Sequence, residues 1–223
     1  MLESGFEGSD PFAGFTNRQS CCTYSVTAST DHPHEGLQSF RSEVRAGDPP
    51  VSKGYRAELT TPSIRDTGDM WYGWSMYFET PVSDGYWTGG FGGHFVQWHP
   101  ANSTGSASLS LWGSDGIWDV ATNPEGDGSA VHHAPGKLRI EGNKWHDIVF
   151  HVNWSTGIVQ FWLNDSLLVN LEGIDYAAGP GQYFKFGMNK WGNGPGPTHD
   201  WVIYYDNLKI GRNVTFKDVA PVN

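Results

Sequence analysis

The chain has 223 residues and a formal net charge of −10, which argues against nucleic acid and anionic membrane surfaces as partners because both call for a basic patch. No apolar run is long enough to span a bilayer. With 29 Gly, 11 Trp, 12 Phe and 9 Tyr, turn formers and aromatic residues are plentiful and no long run looks helical. This composition predicts one domain over 1–223, built from many strands and tight turns.

The predicted strands succeed one another along the chain, with turn residues between them. They cover residues 23–27, 38–45, 55–60, 69–79, 95–99, 107–112, 138–140, 144–154, 158–163, 167–171, 182–189 and 201–210, and residues 113–136 are expected to form a loop. The sequences at 158–163 and 167–171 read as a hairpin around Asn164-Asp165. The number and spacing of strands predict two stacked antiparallel sheets in a curved sandwich, which offers a concave face to a ligand.

The two cysteines are adjacent, at Cys21 and Cys22. A zinc site needs more ligands at other spacings, so the pair forms a vicinal disulfide, joins two chains or stays reduced. The first residues contain no signal-peptide hydrophobic region, and we expect any such segment to have been removed. Asn-x-Ser/Thr sequons favour a secreted eukaryotic glycoprotein. They begin at Asn102, Asn153, Asn164 and Asn213.

The stretch from Phe95 to His99 alternates as a strand with two different faces. Val96 and Trp98 are predicted to point into the core, whereas Phe95, Gln97 and His99 point to the other side. Gln97 and His99 then lie about 7 Å apart on one face. An amide can donate to a carboxylate and an imidazole can move a proton near neutral pH. The alternative is that both are ordinary solvent-facing residues.

A second stretch, residues 183–189, alternates in the same way. Its core face is predicted to hold Phe184, Phe186 and Met188, and its polar face Tyr183, Lys185, Gly187 and Asn189. A glycine in the polar row lets a ligand approach the backbone. The alternative for Lys185 is a solvated strand lysine.

Arg56 and Glu58 share one face of a third predicted strand. Ion pairing by the glutamate can hold the guanidinium in place for a substrate carboxylate. Arg41, Glu43 and Arg45 repeat this form, so the two strands compete for one role. Either set can also be a surface ladder of ion pairs that contributes little.

Together, RAEL at 56–59, QWH at 97–99 and YFKFG at 183–187 resemble, in order and rough spacing, the motifs of jelly-roll polysaccharide lyases such as the alginate lyases and the heparin lyase I group. The flanking sequences WYGWSMYF, NKWHDIVFHVNWS and IYYDNLKIG are most similar to the fungal family 20 type, the endo-β-1,4-glucuronan lyases. The resemblance runs from Gly36 to Gly211. It implies an all-β jelly roll with a concave cleft, an extracellular monomer, and β-elimination on an acidic polysaccharide.

By this resemblance, Arg56 and Gln97 neutralise the uronate carboxylate, with Asn189 as a further candidate, and His99 serves in proton transfer. Lys185, Tyr183 and Trp87 would line the sugar subsites. The sequence departs from the family at one point, since Asn189 stands where the motif places its catalytic tyrosine. The candidates for that role are Tyr183, Tyr86, Tyr204 and Tyr205, of which the last two belong to a strand that usually lies in the outer sheet.

The resemblance also implies a structural calcium ion between the N-terminal segment and the last strand. Calcium prefers hard oxygen ligands, and the candidates are Asp206, Glu7 and Asp48. Each of these acids could instead be a solvated turn carboxylate.

Two other functions fit the same sandwich. A non-catalytic carbohydrate-binding lectin would need only the aromatic and basic cleft, and Asn189 favours keeping it. A glycoside hydrolase generally needs two cleft carboxylates, whereas the polar rows predicted here carry His, Gln, Lys and Asn.

Overall fold

A computed structural model describes residues 1–61, 66–80, 86–87, 92–101, 105–176, 181–191 and 196–221. Over these ranges the regular secondary structure is nearly all strand. The elements are β1 (Leu2–Ser4), β2 (Asn17–Ser20), β3 (Val26–Ser29), β4 (Ser39–Val44), β5 (Gly54–Thr60), β6 (Asp69–Phe78), β7 (Gly92–Pro100), β8 (Leu109–Ser114), β9 (Ile117–Thr122), β10 (Val131–His132), β11 (Trp145–Asn153), β12 (Ile158–Leu163), β13 (Ser166–Leu171), β14 (Gln182–Trp191), β15 (Trp201–Arg212) and α1 (Phe216–Val219). No helix in the described part of the chain is long and apolar enough to cross a membrane.

The strands lie in two antiparallel sheets, which confirms the predicted sandwich. The inner sheet has the order β10-β9-β8-β7-β14-β5-β2, and the outer sheet has the order β13-β12-β11-β6-β15-β4-β3, with β1 paired to β15. The strands predicted to carry chemistry, β7, β14 and β5, are therefore neighbours at the centre of one sheet. Each of their polar faces contributes to a single concave surface.

An aromatic core fills the space between the sheets. Trp74 of β6 packs against Phe150 at 5.9 Å and Phe186 at 5.8 Å between ring centroids, and Trp98 of β7 lies 5.0 Å from Phe184. All five side chains are fully buried. The apolar face predicted for β14 is thus confirmed, and the opposite face of that strand is free to carry polar groups.

A β-bulge changes which residues of β7 face the cleft. The pairing of β7 with β8 shifts register between His94 and Val96, and the extra residue breaks the period of two. Phe95 is fully buried in the core together with Val96, so the prediction that Phe95 shares the face of Gln97 is wrong. The bulge instead brings His94 to the cleft side.

Two side chains of the outer sheet reach across the core to the backbone of the inner sheet. The Tyr205 hydroxyl donates to the Phe95 carbonyl at 3.0 Å, within the bulge of β7. Ser42 Oγ donates to the Ala57 carbonyl at 2.8 Å and accepts the Met188 N–H at 3.2 Å. Buried backbone groups need such partners where a ladder is interrupted, so these bonds hold the irregular backbone behind the cleft.

Gly187 serves the sheet rather than a ligand. Its φ is +122°, and a Cβ at this position would lie 2.2 Å from the Ala57 carbonyl oxygen of the neighbouring strand. A glycine is therefore required for the close approach of β14 to β5. The prediction that it opens the backbone to a substrate does not follow from this geometry.

Several sequence predictions need correction or gain detail. Strands β9 and β10 lie in the region expected to be a loop, and around 138–140 the described structure has only an isolated bridge between Ile117 and Arg139. The β12–β13 hairpin is confirmed, with Asn164 and Asp165 at positive φ, as a tight hairpin turn requires.

Trp87 is only 2% exposed and packs in the core against Phe78 and Phe95, so its predicted place in a sugar subsite is wrong. The sequon at Asn102 lies outside the described residues.

The adjacent cysteines are joined to each other as a vicinal disulfide between Cys21 and Cys22. This pairing selects one of the three states that the sequence left open. Asp48 lies close by, accepting hydrogen bonds from the Tyr24 hydroxyl and from the Arg45 N–H.

Candidate active site

The central strands of the inner sheet set the predicted site residues opposite one another. Gln97 pairs with Lys185 and His99 with Tyr183 across β7 and β14, and Asn189 pairs with Arg56 across β14 and β5. Above these strands lies a cavity of about 230 Å³. Its wall includes Arg56, His94, Gln97, His99, Trp112, Asn123, His132 and Asn189.

A buried carboxylate organises the basic end of this cleft. Glu58 is fully buried, and its Oε2 accepts Arg56 Nη1 at 2.8 Å while its Oε1 accepts the Gln97 amide. Arg56 is further held by the carbonyls of Val51 and Ser52, at 3.1 and 3.3 Å. The predicted ion pair is thus present, and it also fixes the glutamine. These contacts orient two donor-bearing side chains toward one cavity.

The competing pair, Arg41 and Glu43, belongs to β4 of the outer sheet. Arg41 bonds to Glu43 and, through Nε at 3.2 Å, to the Tyr204 hydroxyl. Neither residue lines the cleft among the described positions. The preference for Arg56 over Arg41 is consistent with this placement.

His99 lies at the other end of the cleft, beside Tyr183. The two ring centroids are 5.2 Å apart. Burial lowers the pKa of His99 below its usual 6.5, and the positive charges of Lys185 and Arg56 act in the same direction. A neutral imidazole at neutral pH can accept a proton. Burial raises the pKa of Tyr183, with a contribution from Glu58, so the phenol keeps its proton and can act as an acid.

The other tyrosines considered for proton transfer lie elsewhere. Tyr204 donates to Glu79 on the outer sheet at 2.9 Å, and Tyr205 is buried in the core. Tyr86 pairs with Glu141 and lies beneath the Arg139 guanidinium, at 3.7 Å from the ring centroid. Of these four, Tyr183 is the one whose ring contacts His99.

Asn189, which the resemblance sets where the lyase motif has a tyrosine, lies at the bottom of the cleft. It is 1% exposed, and its Oδ1 is buried without a hydrogen-bond partner. An amide can donate to a carboxylate but has no proton to transfer at neutral pH. The position is therefore suited to substrate binding and not to acid–base chemistry.

Lys185 shares the face of Gln97 but is bonded to a side chain of β2, two strands away in the inner sheet. It is 4% exposed, and its Nζ donates to Gln19 Oε1 of β2 at 2.8 Å. Burial lowers its pKa, partly offset by Glu58. Its predicted contact with a sugar would require Gln19 to move, whereas its charge already contributes to the cleft.

His94 is a cleft residue that the alternation rule missed. Its ring lies 4.6 Å from that of Trp112, and its Nδ1 is buried without a partner. Burial and the charges of Arg56 and Lys185 lower its pKa to about 3. A permanently neutral imidazole can hydrogen-bond a substrate without changing charge. Only the bulge exposes it, and no spacing signal in the sequence marks the bulge.

The far wall of the cleft carries a third imidazole, which is held by a carboxylate. His132 Nδ1 lies 2.6 Å from Asp119 Oδ2, and the same carboxylate accepts the His133 N–H at 3.0 Å. The residues of β9 and β10 that form this wall fall in the region predicted to be a loop, so the sequence reading did not find them.

The three acids proposed as calcium ligands do not form one group. Asp206 accepts backbone N–H groups from His34, Glu35 and Asn207. Glu7 Oε1 accepts those of Leu37 and Gln38, so both acids support one loop between the N-terminal segment and the last strand.

Asp48 is separate from this arrangement. Among the described acidic, histidine and cysteine side chains, it clusters with the two disulfide-bonded cysteines, Cys21 and Cys22. Its inclusion in one ligand set with Asp206 and Glu7 is wrong. The oxygens of Asp206 and of Glu7 that face the loop accept backbone N–H groups. A carboxylate oxygen with one such donor can still ligate a cation, and calcium stays a prediction from the resemblance.

Comparison with known proteins agrees with this architecture. The family described as "Polysaccharide lyase" matches residues 7–209, and no curated protein matches the sequence. Among solved structures, the chain is similar to the endo-β-1,4-glucuronan lyase of the fungus Trichoderma reesei, with 15% identity, 94% of each chain covered and a TM-score of 0.73. It is also similar to the cellulose induced protein Cip1, with 17% identity, 95% of this chain and 97% of that chain covered and a TM-score of 0.67.

A third similar structure is the alginate lyase A1-II′, a member of polysaccharide lyase family 7. It has 15% identity, 86% of this chain and 84% of that chain covered, and a TM-score of 0.63. At these identities the likeness shows the fold. The jelly-roll sandwich predicted for this chain is confirmed.

Proposed function

Because this chain belongs to the polysaccharide lyase family, we propose that it cleaves glucuronan, a β-1,4-linked polyuronate, by β-elimination. Cleavage would occur at internal linkages of the polysaccharide. The observation that carries the proposal is the meeting of Arg56, Gln97 and His99 in one cleft. A guanidinium, an amide and an uncharged imidazole on the central strands of one sheet are the groups that this reaction needs.

β-Elimination breaks the bond between C4 and the glycosidic oxygen. A base removes the proton from C5, the electron pair forms the C4–C5 double bond, and the leaving O4 takes up a proton. The negative charge that develops on the C6 carboxylate during proton removal must be stabilised. No water is added, so the new chain end is an unsaturated uronate.

The residues at one end of the cleft would bind the carboxylate, and those at the other end would transfer protons. Arg56 and Gln97, both held by Glu58, would bind the carboxylate, and Asn189 lies beside them. His99 would remove the C5 proton, since its lowered pKa keeps it uncharged. Tyr183, next to His99, would protonate O4.

Glucuronan as the substrate is supported by the likeness to the fungal glucuronan lyase structure, which covers 94% of the chain. The likeness to an alginate lyase makes alginate the substrate to test against it. We further propose that the protein works outside the cell, because polyuronates are extracellular polymers and a vicinal disulfide persists in an oxidising compartment. The monomer stays a prediction from the resemblance.

A panel of polyuronates tests this function. Polyglucuronate, alginate and a heparin-type glycan are each incubated with the protein, and the ultraviolet absorbance of the C4–C5 double bond is followed. We expect absorbance to grow with polyglucuronate and the oligosaccharide products to shorten progressively, as for internal cleavage. Absence of unsaturated product from every polyuronate would overturn the proposal.

A carbohydrate-binding module without catalysis is the second candidate. The observation that favours it is Asn189, which replaces the family's tyrosine with a side chain that can bind but not transfer a proton. Saturable binding of polyglucuronate with no double bond formed would identify this function.

A further inference from the structure

A second cavity, of about 500 Å³, opens beside the start of β14. Its described wall includes Asp66, Trp154, Asp175, Tyr176 and Gln182, and it shares no described lining residue with the cleft. Gln182 directly precedes Tyr183, and consecutive strand residues point to opposite faces. The cavity is therefore adjacent to the candidate active site along the strand but separate from it.

Two polar atoms of this wall are buried without a hydrogen-bond partner. They are the Tyr176 hydroxyl and Gln182 Oε1, and their residues are only 8% and 9% exposed. Buried polar groups in native proteins nearly always have a partner, in the protein, in ordered water or in a ligand. Because both atoms belong to side chains lining one cavity, a single bound molecule can satisfy both.

The groups behind the cavity are held in place by a chain of hydrogen bonds. Trp154 Nε1 donates to the Tyr72 hydroxyl at 3.4 Å, which in turn donates to Asp66 Oδ2 at 2.7 Å. Asp66 also exchanges two backbone hydrogen bonds with Gln182, at 2.9 and 3.1 Å. The Trp154 and Tyr176 rings meet edge to face, with centroids 4.9 Å apart. The wall is thus already ordered before a ligand arrives.

We propose that this cavity binds a neutral sugar residue. Gln182 Oε1 and the carboxyl oxygens of Asp66 and Asp175 are hydrogen-bond acceptors. The hydroxyl groups of a sugar can donate hydrogen bonds to them. The small exposed parts of Trp154 and Tyr176, which are 9% and 8% exposed, would contact the apolar C–H faces of the sugar. The cavity is far larger than a metal ion needs and falls in the usual size range of small-molecule sites.

The two acids also disfavour the substrate of the cleft once Asp66 has lost its proton. Burial raises the pKa of Asp66 to about 7, so above this pH a uronate would bring a negative charge next to Asp66 and Asp175 and be repelled, whereas a neutral hexose would not. The inference goes beyond the proposed lyase function, since the ligand is uncharged and no catalytic residue takes part. It gives the chain a second carbohydrate contact close to the His99 end of the cleft.

Calorimetric titration at about pH 8, above the raised pKa of Asp66, tests the site with cellobiose as the ligand and glucuronic acid as the charged comparison. We expect cellobiose to bind saturably to one site and glucuronic acid to bind at least about 10-fold more weakly. Tyr176→Phe, which removes only the unpartnered hydroxyl, should weaken cellobiose binding about 5- to 10-fold. Gln182→Leu should do the same, and Gln97→Ala in the cleft should leave cellobiose affinity unchanged.

The contrary outcomes are equally distinct. If cellobiose, mannobiose and xylobiose all fail to bind saturably, the cavity holds ordered water only and the proposal is overturned. It is also overturned if Tyr176→Phe, folded with an unchanged melting temperature, keeps wild-type affinity, or if Gln97→Ala abolishes binding, which would place the sugar in the cleft.

Discussion

The amide of Gln97 donates a hydrogen bond to the carboxylate of Glu58, although their strands are not neighbours. Strand β14 lies between them, and the residue of β14 paired with Glu58 is Gly187. A residue without a side chain leaves room for the two side chains to meet above the strand. The arrangement joins β7 and β5 through a carboxylate that also holds Arg56.

Glu58→Gln is expected to reduce lyase activity strongly without removing any group that touches the substrate. The substitution removes the charge that fixes Arg56 and Gln97, and misplacement of a binding group by about 1 Å can cost about 100-fold in rate. It also leaves Arg56 buried without its ion pair, which should lower the free energy of unfolding by about 3–5 kcal/mol. The measurements are kcat/KM on polyglucuronate and the urea midpoint.

The chain contains a matched control for this variant. Glu43 sits between Arg41 and Arg45 on the outer sheet in the same sequence pattern. Glu43→Gln should leave kcat/KM unchanged. Equal losses of activity in the two variants would show that the effect at Glu58 comes from stability and not from positioning.

His99→Gln should lower kcat/KM by about 100- to 10,000-fold if the imidazole removes the C5 proton. The pH dependence of the wild type gives a second check. Only the uncharged imidazole can act as a base, and burial lowers its pKa from 6.5. Activity should therefore fall as the pH drops through a value below 6.5 and should be level above it.

His151, which stacks on Trp71 in the outer sheet, provides the control, and His151→Gln should retain activity. An acid limb centred above pH 6.5, measured at constant ionic strength, would contradict the assignment of His99.

Tyr183→Phe and Tyr204→Phe together test which tyrosine replaces the one missing at position 189. Tyr183 contacts His99, so loss of its hydroxyl should reduce kcat by about 100-fold or more. Tyr204 is hydrogen-bonded to Glu79 on the other sheet, and its variant should keep full kcat. Full activity in Tyr183→Phe would show that another group of the cleft, and not Tyr183, donates the proton to O4.

The sequence predicted the site better where strands are regular than where they are not. The alternation in β14 sorted Phe184, Phe186 and Met188 from Lys185 and Asn189 correctly, since a period of two holds along an unbroken strand. In β7 the same rule misplaced Phe95 and missed His94, because a bulge inserts one residue and reverses the faces.

Other gaps have different physical causes. Trp87 reads as an exposed sugar platform in a Gly-rich stretch, but its large apolar surface is buried among the core aromatics. Glu58 was recognised as a partner of Arg56, yet its bond to Gln97 depends on the order of strands in the sheet. That order cannot be read from spacing along the chain.

Tyr205→Phe should destabilise the fold through the bulge that carries His94. The hydroxyl of Tyr205 donates to the Phe95 carbonyl, and the loss of a buried hydrogen bond costs about 0.5–1.5 kcal/mol. The free energy of unfolding in urea should fall by this amount. A change below about 0.5 kcal/mol would show that the bulge does not depend on this bond.

Asp66→Asn should change how the stability of the protein depends on pH. Burial raises the pKa of Asp66 in the folded protein from 3.8 to about 7, although the Tyr72 hydroxyl and Arg212 oppose the shift. Between these two pH values the folded state holds a proton that the unfolded state has lost, so this group makes stability fall as the pH rises. The loss is complete above about pH 7 and amounts to at most about 4 kcal/mol.

Asparagine keeps an oxygen that can accept the Tyr72 hydroxyl but does not titrate. Relative to wild type, the variant should therefore gain stability steadily from pH 4 to pH 7 and hold a constant advantage above it. Urea unfolding at fixed ionic strength measures the difference, and Asp175→Asn, at an exposed position on the same cavity wall, should run parallel to wild type. A difference between Asp66→Asn and wild type that does not change with pH would mean that the Asp66 carboxyl ionises alike in the folded and unfolded chains. In that case it would contribute a fixed negative charge, and not a proton, to the second cavity.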